Sequence, residues 1–178
     1  MRRIQKWGIA LAAITAGTQL NTTEACTRVV YQGKDNTVLT ARSMDWKEDT
    51  RTNLWIFPRG MKRNGEIGKN PLEWTSKYGS VVASAYDICS TDGMNEKGLV
   101  ANLLWLAESE YPQWDGKKPG LSIAAWVQYI LDNFATVDEA VSYVEKGTFE
   151  VVSDMMPDGT RMATLHLSIS DADGQCDL

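Results

Sequence analysis

Apolar and polar positions alternate in short runs along most of the chain and change to a helical spacing over one central stretch. Residues 27–32 (TRVVYQ) and 37–42 (TVLTAR) are β-rich runs separated by Gly33, Lys34, Asp35 and Asn36, all turn formers, and they predict a hairpin. With the turn centred on residues 34 and 35, cross-strand partners sum to 69, which sets Thr27 against Arg42 and Cys26 against Ser43. Further strands are predicted at 53–57, 79–86 and 99–106, the last two joined by a loop holding Asp92 to Gly98; residues 59–70, polar and Gly-rich, read as an exposed loop. After Pro119 and Gly120, the positions Leu121, Ile123, Ala124, Trp126, Val127, Ile130, Leu131 and Phe134 recur at helical spacing. A second helix begins at the capping box Thr136-Val137-Asp138-Glu139 and stops at Lys146-Gly147. Strands return at 149–152 and at 161–170, where Leu165, Leu167 and Ile169 alternate with His166, Ser168 and Ser170. Strands, two helices and strands again make an α+β layered domain. The last strand runs into Asp171-Ala172-Asp173-Gly174, a turn signal, yet the chain stops at Leu178; no returning strand is expected, and the chain reads as truncated.

The first segment follows a different rule. Arg2, Arg3 and Lys6 precede an uncharged run, residues 7–17, of signal-peptide length and too short to span a bilayer. Thr23 and Ala25 are small enough for a signal-peptidase site, so cleavage between Ala25 and Cys26 is expected, with a periplasmic or secreted product. A buried amphipathic helix is the alternative for this segment. A lipoprotein signal is another, although Glu24 precedes Ala25 and Thr23 stands where Leu is expected.

Composition narrows the chemistry. The 178 residues carry a formal charge of −5; without residues 1–25 the remaining 153 carry 15 Lys and Arg against 22 Asp and Glu, or −7. One domain is expected at this length, and no cationic field favours nucleic acid. A single His and three Cys, without Cys-x-x-Cys, leave too few soft ligands for a zinc site, and neither a phosphate-binding Gly-rich loop nor a Gly-x-Ser-x-Gly elbow occurs. In an oxidising compartment Cys89 and Cys176 are an open option for a disulfide.

Cleavage before Cys26 would place a thiol and an α-amine, whose pKa is generally about 7.7 to 8.0, on one residue: a nucleophile with its own base. Arg42, brought near by the hairpin, would favour thiolate or developing negative charge, and Asp45 would hydrogen-bond the amine. The bland alternatives are an incidental Cys and a surface Arg42–Asp45 ion pair. His166 reads as a structural strand residue.

Cys26-Thr27, Ala41-Arg42-Ser43-Met44-Asp45-Trp46, Asp92-Gly93-Met94-Asn95-Glu96-Lys97-Gly98-Leu99, Thr164-Leu165-His166 and Ile169-Ser170-Asp171, in that order, resemble the choloylglycine hydrolase family, the conjugated bile salt hydrolases and penicillin V acylases. The resemblance implies an αββα four-layer sandwich of the N-terminal nucleophile hydrolase type, incomplete here, with residues 1–25 as signal peptide and 26–178 as the N-terminal portion of the domain. It implies an N-acyl amide substrate, no cofactor, no membrane anchor, and a homotetramer for a complete chain. It assigns Cys26 as nucleophile, Arg42 and Asp45 to the catalytic set, the Trp105 backbone N–H to the oxyanion hole, and Trp46 and Trp105 as contacts to an aromatic acyl group; core packing is the alternative for both indoles. A later Asn and a later Arg of the family's site would fall beyond Leu178. A non-catalytic remnant and an exported acyl-binding protein remain rival readings.

Overall fold

The computed structural model describes residues 26–34 and 37–177, with side chains to Gly174; the expected leader, the turn residues 35 and 36 and the Cys176 side chain lie outside this set. Strands β1 (Thr27–Gln32) and β2 (Val38–Ser43) form the expected antiparallel hairpin. Its register differs by one residue: Thr27 pairs with Ser43 and Arg28 with Arg42, so partners sum to 70. The Gly33 N–H donates to Thr37 O at 2.7 Å, which centres the connection on residue 35 and gives it an odd length. Slipping a strand by one residue exchanges its two faces. The expected pairing would put Arg42 on the face opposite Cys26; the observed one puts both on the same face.

A six-stranded, wholly antiparallel sheet carries the molecule. It is built from β3 (Leu54–Phe57), β6 (Ser80–Ala85), β7 (Cys89–Asn95), β8 (Val100–Trp105), β11 (Leu165–Ser170) and β12 (Gln175–Asp177), in the order β12-β11-β8-β7-β6-β3. The other strands are β4 (Lys62–Asn64) with β5 (Glu73–Thr75), antiparallel, and β9 (Gly120–Ser122) with β10 (Glu150–Val152), parallel. Helices α1 (Trp126–Asn133) and α2 (Val137–Val144) lie on one face of the large sheet. The hairpin lies on the other, where Arg28 bonds Asn102 and Ser170. Among the described residues no helix is long and apolar enough to cross a membrane.

The core sits between sheet and helices. Leu99, Leu121, Val127, Ile130, Leu131, Leu167 and Ile169 are fully buried there, each Leu or Ile contributing about 1.5–3 kcal/mol through transfer from water. Helix α1 is buried nearly all round, including Asp132, which is 0% exposed. Asp132 accepts from Trp74 Nε1 at 2.7 Å and Gln128 Nε2 at 2.7 Å and pairs with Arg63 Nε at 3.0 Å, so one carboxylate fastens the β4–β5 hairpin to α1.

Four expectations are corrected. The loop expected at 59–70 contains β4. Asp92 to Asn95, read as loop, is the end of β7, and only the residues after Asn95 turn. Gly93 is in this strand because α1 passes too close for a side chain: a Cβ there would meet Leu131 Cδ1 at 2.6 Å and Val81 O at 2.8 Å. Asn95 holds the same helix, donating to Leu131 O at 2.9 Å and Phe134 O at 2.8 Å while accepting from the N–H groups of Lys97 and Leu99. The helix expected from Leu121 begins with a 3₁₀ turn at Ile123–Ala125, capped by the Ser122 hydroxyl, and becomes α-helical at Trp126, since Gly120 to Ser122 spend their backbone groups on β10 and on Gly65, Asn70 and Leu72. Last, a returning strand does exist. Asp171 accepts from the N–H groups of Asp173 and Gly174, turning the chain into β12, and its other oxygen caps α2 through the Val137 N–H at 2.7 Å. Strand order also closes the disulfide option: β12 lies three strands from β7, roughly 14 Å at 4.8 Å per strand and beyond the ~7 Å reach of a disulfide. Cys89 is a free thiol.

Candidate active site

At the end of the sheet where β8 finishes and β11 begins, a cavity of about 230 Å³ is walled by Cys26, Arg42, Trp46, Leu103, Trp105 and Leu165, among others. Cys26 and Arg42 reach it from the hairpin because strand alternation sends residues 26, 42, 44 and 46 the same way. Arg42, with 9% of its side chain exposed, is fixed from the sheet: Nε pairs with Asp92 Oδ1 at 2.9 Å and Nη2 donates to the Leu103 carbonyl. Its Nη1 has no hydrogen-bond partner among the described residues, so a buried cation retains donor capacity in the cavity that Cys26 also lines. Asp92 is held in turn by Asn102 Nδ2 at 2.8 Å, Asn102 accepts from Arg28 Nε at 2.8 Å, and Arg28 Nη2 donates to Ser170 Oγ at 2.7 Å. This chain of polar groups ties hairpin to sheet and sets the guanidinium's position, since each buried member is partnered by the next.

The sheet opens at the cavity. Pairing of β7 with β8 ends at Asp92 and Asn102, whereas β11 pairs with β8 as far as Leu165 and Trp105. Leu106 N–H bonds to Thr164 O across β11, so by antiparallel alternation the Trp105 N–H faces the other way, toward the gap left by β7. The carbonyl of Leu103, two residues earlier on the same side, is the one that receives Arg42.

Trp46 and Trp105 meet in the cavity wall with ring centroids 5.2 Å apart and planes at 48°. Both are half-buried and neither belongs to the core cluster. Trp46 Nε1 donates to Tyr86 Oη at 3.0 Å, and Tyr86 donates to Glu48 at 2.7 Å. Burial, followed by the Glu48 bond, raises the Tyr86 pKa and keeps it a donor. The Arg161 guanidinium lies 4.2 Å from the Trp105 ring and 5.3 Å from that of Trp46, a cation–π contact with both indoles. It comes from a flap bridged at Met155 and Met162, whose Met155, Met156 and Pro157 roof the cavity. Lys47 to Asp158, 2.7 Å, ties the flap down. Cys89 also lines the cavity, but burial pushes its thiol up to about 12, with Glu66 and Asp92 adding to the effect. It is therefore a thiol and no nucleophile at neutral pH.

Of the residues singled out by sequence, the structure gathers Cys26, Arg42, Trp46 and Trp105 around one cavity. Asp45 is exposed, accepts from Ser43 Oγ at 3.1 Å, and is not part of the cavity wall. His166 stands on β11 facing a separate surface cleft. Sequence reasoning missed Asp92, whose contact to Arg42 spans fifty positions of the chain, although it opens the Asp-Gly-Met-Asn motif; nothing in the sequence marks Arg161 or the flap.

Comparison with known proteins agrees with this layout. Residues 26–176 match the family of linear amide C–N hydrolases, choloylglycine hydrolase family. A penicillin V acylase from Pectobacterium atrosepticum is 56% identical over 175 residues, covering 93% of this chain and 46% of that protein. The solved structure of penicillin V acylase from Agrobacterium tumefaciens superposes with a TM-score of 0.77 at 63% identity, over 84% of this chain and 45% of that one. A variant of conjugated bile acid hydrolase from Clostridium perfringens gives 0.67 at 27% identity, over 84% and 46%. The chain spans about half the length of these relatives. The layered αββα sandwich of N-terminal nucleophile hydrolases is the shared fold, of which the described residues form a helical layer, the six-stranded sheet and the hairpin facing it.

Proposed function

Because the chain belongs to the choloylglycine hydrolase family of linear amide carbon–nitrogen hydrolases, we propose that it is an exported hydrolase of N-acyl amides whose nucleophile is the Cys26 thiol. The observation that carries this reading is the placement of Cys26 and Arg42 on one hairpin face, in the wall of an apolar cavity that also holds two indoles. Export to the periplasm or medium would remove residues 1–25 and free the Cys26 amine. Extending the hairpin register by one pair sets Met44 against Cys26, so the new terminus falls next to Asp45 along β2's continuation. We assign Asp45 to hold that amine once it exists.

In the reaction the Cys26 amine accepts the thiol proton and sulfur bonds to the carbonyl carbon. Arg42 favours the sulfur anion, and the Trp105 N–H donates to the oxyanion of the tetrahedral intermediate; one such donor is worth about 10²- to 10³-fold in rate. The C–N bond then breaks, and the leaving nitrogen takes the proton from the amine. Water adds to the thioester, giving up a proton to the amine, and the acid departs as the thiol reforms. Trp46 and Trp105 receive the acyl half, which is apolar or aromatic. Phenoxyacetyl and steroid acyl groups, as in penicillin V and conjugated bile salts, are the substrate classes we propose. The test compares the wild-type protein with Cys26→Ala for amine release from penicillin V and from glycine- and taurine-conjugated bile salts. The wild type should turn over at least one, and Cys26→Ala should lose about 10⁴-fold or more. Equal rates would overturn the assignment.

A further inference from the structure

The connection between β6 and β7 holds a strained residue against the cavity. Tyr86 has a φ of 56°, a left-handed backbone that is a genuine outlier for a residue of its bulk, and Asp87 follows at 54°. The turn is fixed from several sides. Ile88 N–H donates to Ala85 O at 3.1 Å, and the Asp87 carboxylate accepts from Asn53 Nδ2 at 2.9 Å and from Ser84 Oγ at 2.9 Å. Backbone strain persists where the surroundings over-determine it in this way, and it gathers at functional sites. Here it goes with a Tyr86 side chain that forms part of the cavity wall.

From that position Tyr86 holds one distant segment of chain through both its backbone and its side chain. Its N–H donates to Thr50 O at 2.7 Å, and its hydroxyl accepts from Trp46 Nε1 at 3.0 Å while donating to Glu48 Oε1 at 2.7 Å. An indole carries a single donor, so turning the Trp46 ring about its side-chain torsions would break the bond to Tyr86. Glu48 does the same for the phenol: with its proton committed to a carboxylate, the hydroxyl presents its lone pairs to Trp46. Trp46 is thereby held in its tilted arrangement against Trp105, at 48° between ring planes.

We infer that Tyr86, with Glu48 behind it, is a positioning residue that acts through Trp46 to make the cavity favour aromatic over linear acyl groups. Attraction between rings depends on their mutual angle, because their quadrupoles favour offset and edge-to-face contacts. A methylene chain gains burial and dispersion, which make no such angular demand. Freeing the indole therefore weakens the hold on an aromatic acyl group and leaves a flexible one almost as well bound. The inference rests on the hydrolase reading only in taking the acyl half as the occupant of the cavity beside Trp46.

Equilibrium binding tests it without needing turnover. The full chain carrying Cys26→Ala is titrated calorimetrically with N-(phenoxyacetyl)glycine and with N-octanoylglycine, and the ratio of the two affinities is the readout. Adding Tyr86→Phe, which keeps the ring and removes the hydroxyl, should lower the preference for the phenoxyacetyl compound about fivefold, chiefly by weakening that compound. Glu48→Gln, whose amide oxygen still accepts from the phenol, should leave the ratio within about twofold of its starting value. In a Trp46→Phe background, which has no indole N–H to hold, Tyr86→Phe should no longer change the ratio. Cooperative thermal unfolding reports that each variant folds. A ratio unchanged by Tyr86→Phe, or one that still falls in the Trp46→Phe background, overturns the positioning role while the hydrolase reading stands. If neither compound binds, the acyl-cavity reading fails and the positioning role with it.

Discussion

At the residue scale, two thiols in one cavity are set apart by their surroundings. Cys89 is pushed up to about 12 by burial, with Glu66 and Asp92 contributing, whereas Cys26 is half-buried in the cavity wall that Arg42 also lines. Iodoacetamide at pH 8 should therefore modify Cys26 readily and leave Cys89 untouched until denaturant is added, which peptide mapping would report; modification of native Cys89 at a comparable rate would contradict the account. Asp132 is the other residue whose environment determines its role. Removing its carboxylate strands Arg63, unpairs the Trp74 N–H and frees Gln128. We expect Asp132→Ala to cost about 3–5 kcal/mol in urea unfolding, and Asp132→Asn less, because an amide oxygen can still accept from Trp74.

At the scale of elements, the Asp-Gly-Met-Asn segment is where sequence and fold disagree most usefully. Asp and Gly are turn formers, and local propensity assigns them to a loop. In β7 each answers a distant demand: Asp92 meets Arg42 of β2, Gly93 makes room for Leu131 of α1, and Asn95 caps that helix. Gly93→Ala should then destabilise by about 1–3 kcal/mol through overpacking, although Ala suits a strand better than Gly on propensity alone; an unchanged denaturation midpoint would refute the close packing. The β7–β8 turn supplies a pH dependence. Arg59, together with the Gly79 N–H, holds the Glu96 carboxyl down to about 2. A carboxylate with a depressed folded pKa adds stability above its unfolded value and loses it as pH falls toward the folded one. Stability should fall between about pH 4.5 and 2, and Glu96→Gln should flatten that part of the curve. Strand and helix positions were readable because alternation and capping are local. The hairpin register was not, since it hinges on whether the connection has two residues or three, and that parity decides whether Arg42 shares a face with Cys26.

At the scale of the molecule, the α+β layering follows from the order of periodic segments, but the sequence does not reveal how much apolar surface the described residues leave open. Leu54, Ile56, Val81 and Met94 are exposed on β3, β6 and β7, Ile56 to 81%, and Val29, Tyr31 and Leu39 are exposed on the outer side of the hairpin. Among the described residues β3 is also an unpaired edge of the large sheet. Such surface favours association. The isolated chain should sediment as concentration-dependent oligomers, and Ile56→Lys with Leu39→Lys should shift it toward monomer; a monomer at all concentrations would count against an open face.

The central claim is that a processed N-terminal Cys26 attacks an amide carbonyl from the cavity wall it shares with Arg42. Mass spectrometry of the protein expressed from Met1 in a bacterial host that carries signal peptidase, with penicillin V added, is the test. The expected chain begins at Cys26 and, under rapid acid quench, carries a phenoxyacetyl adduct on its N-terminal peptide that is absent in Cys26→Ala. A chain beginning elsewhere, or an adduct carried by another residue, would contradict it.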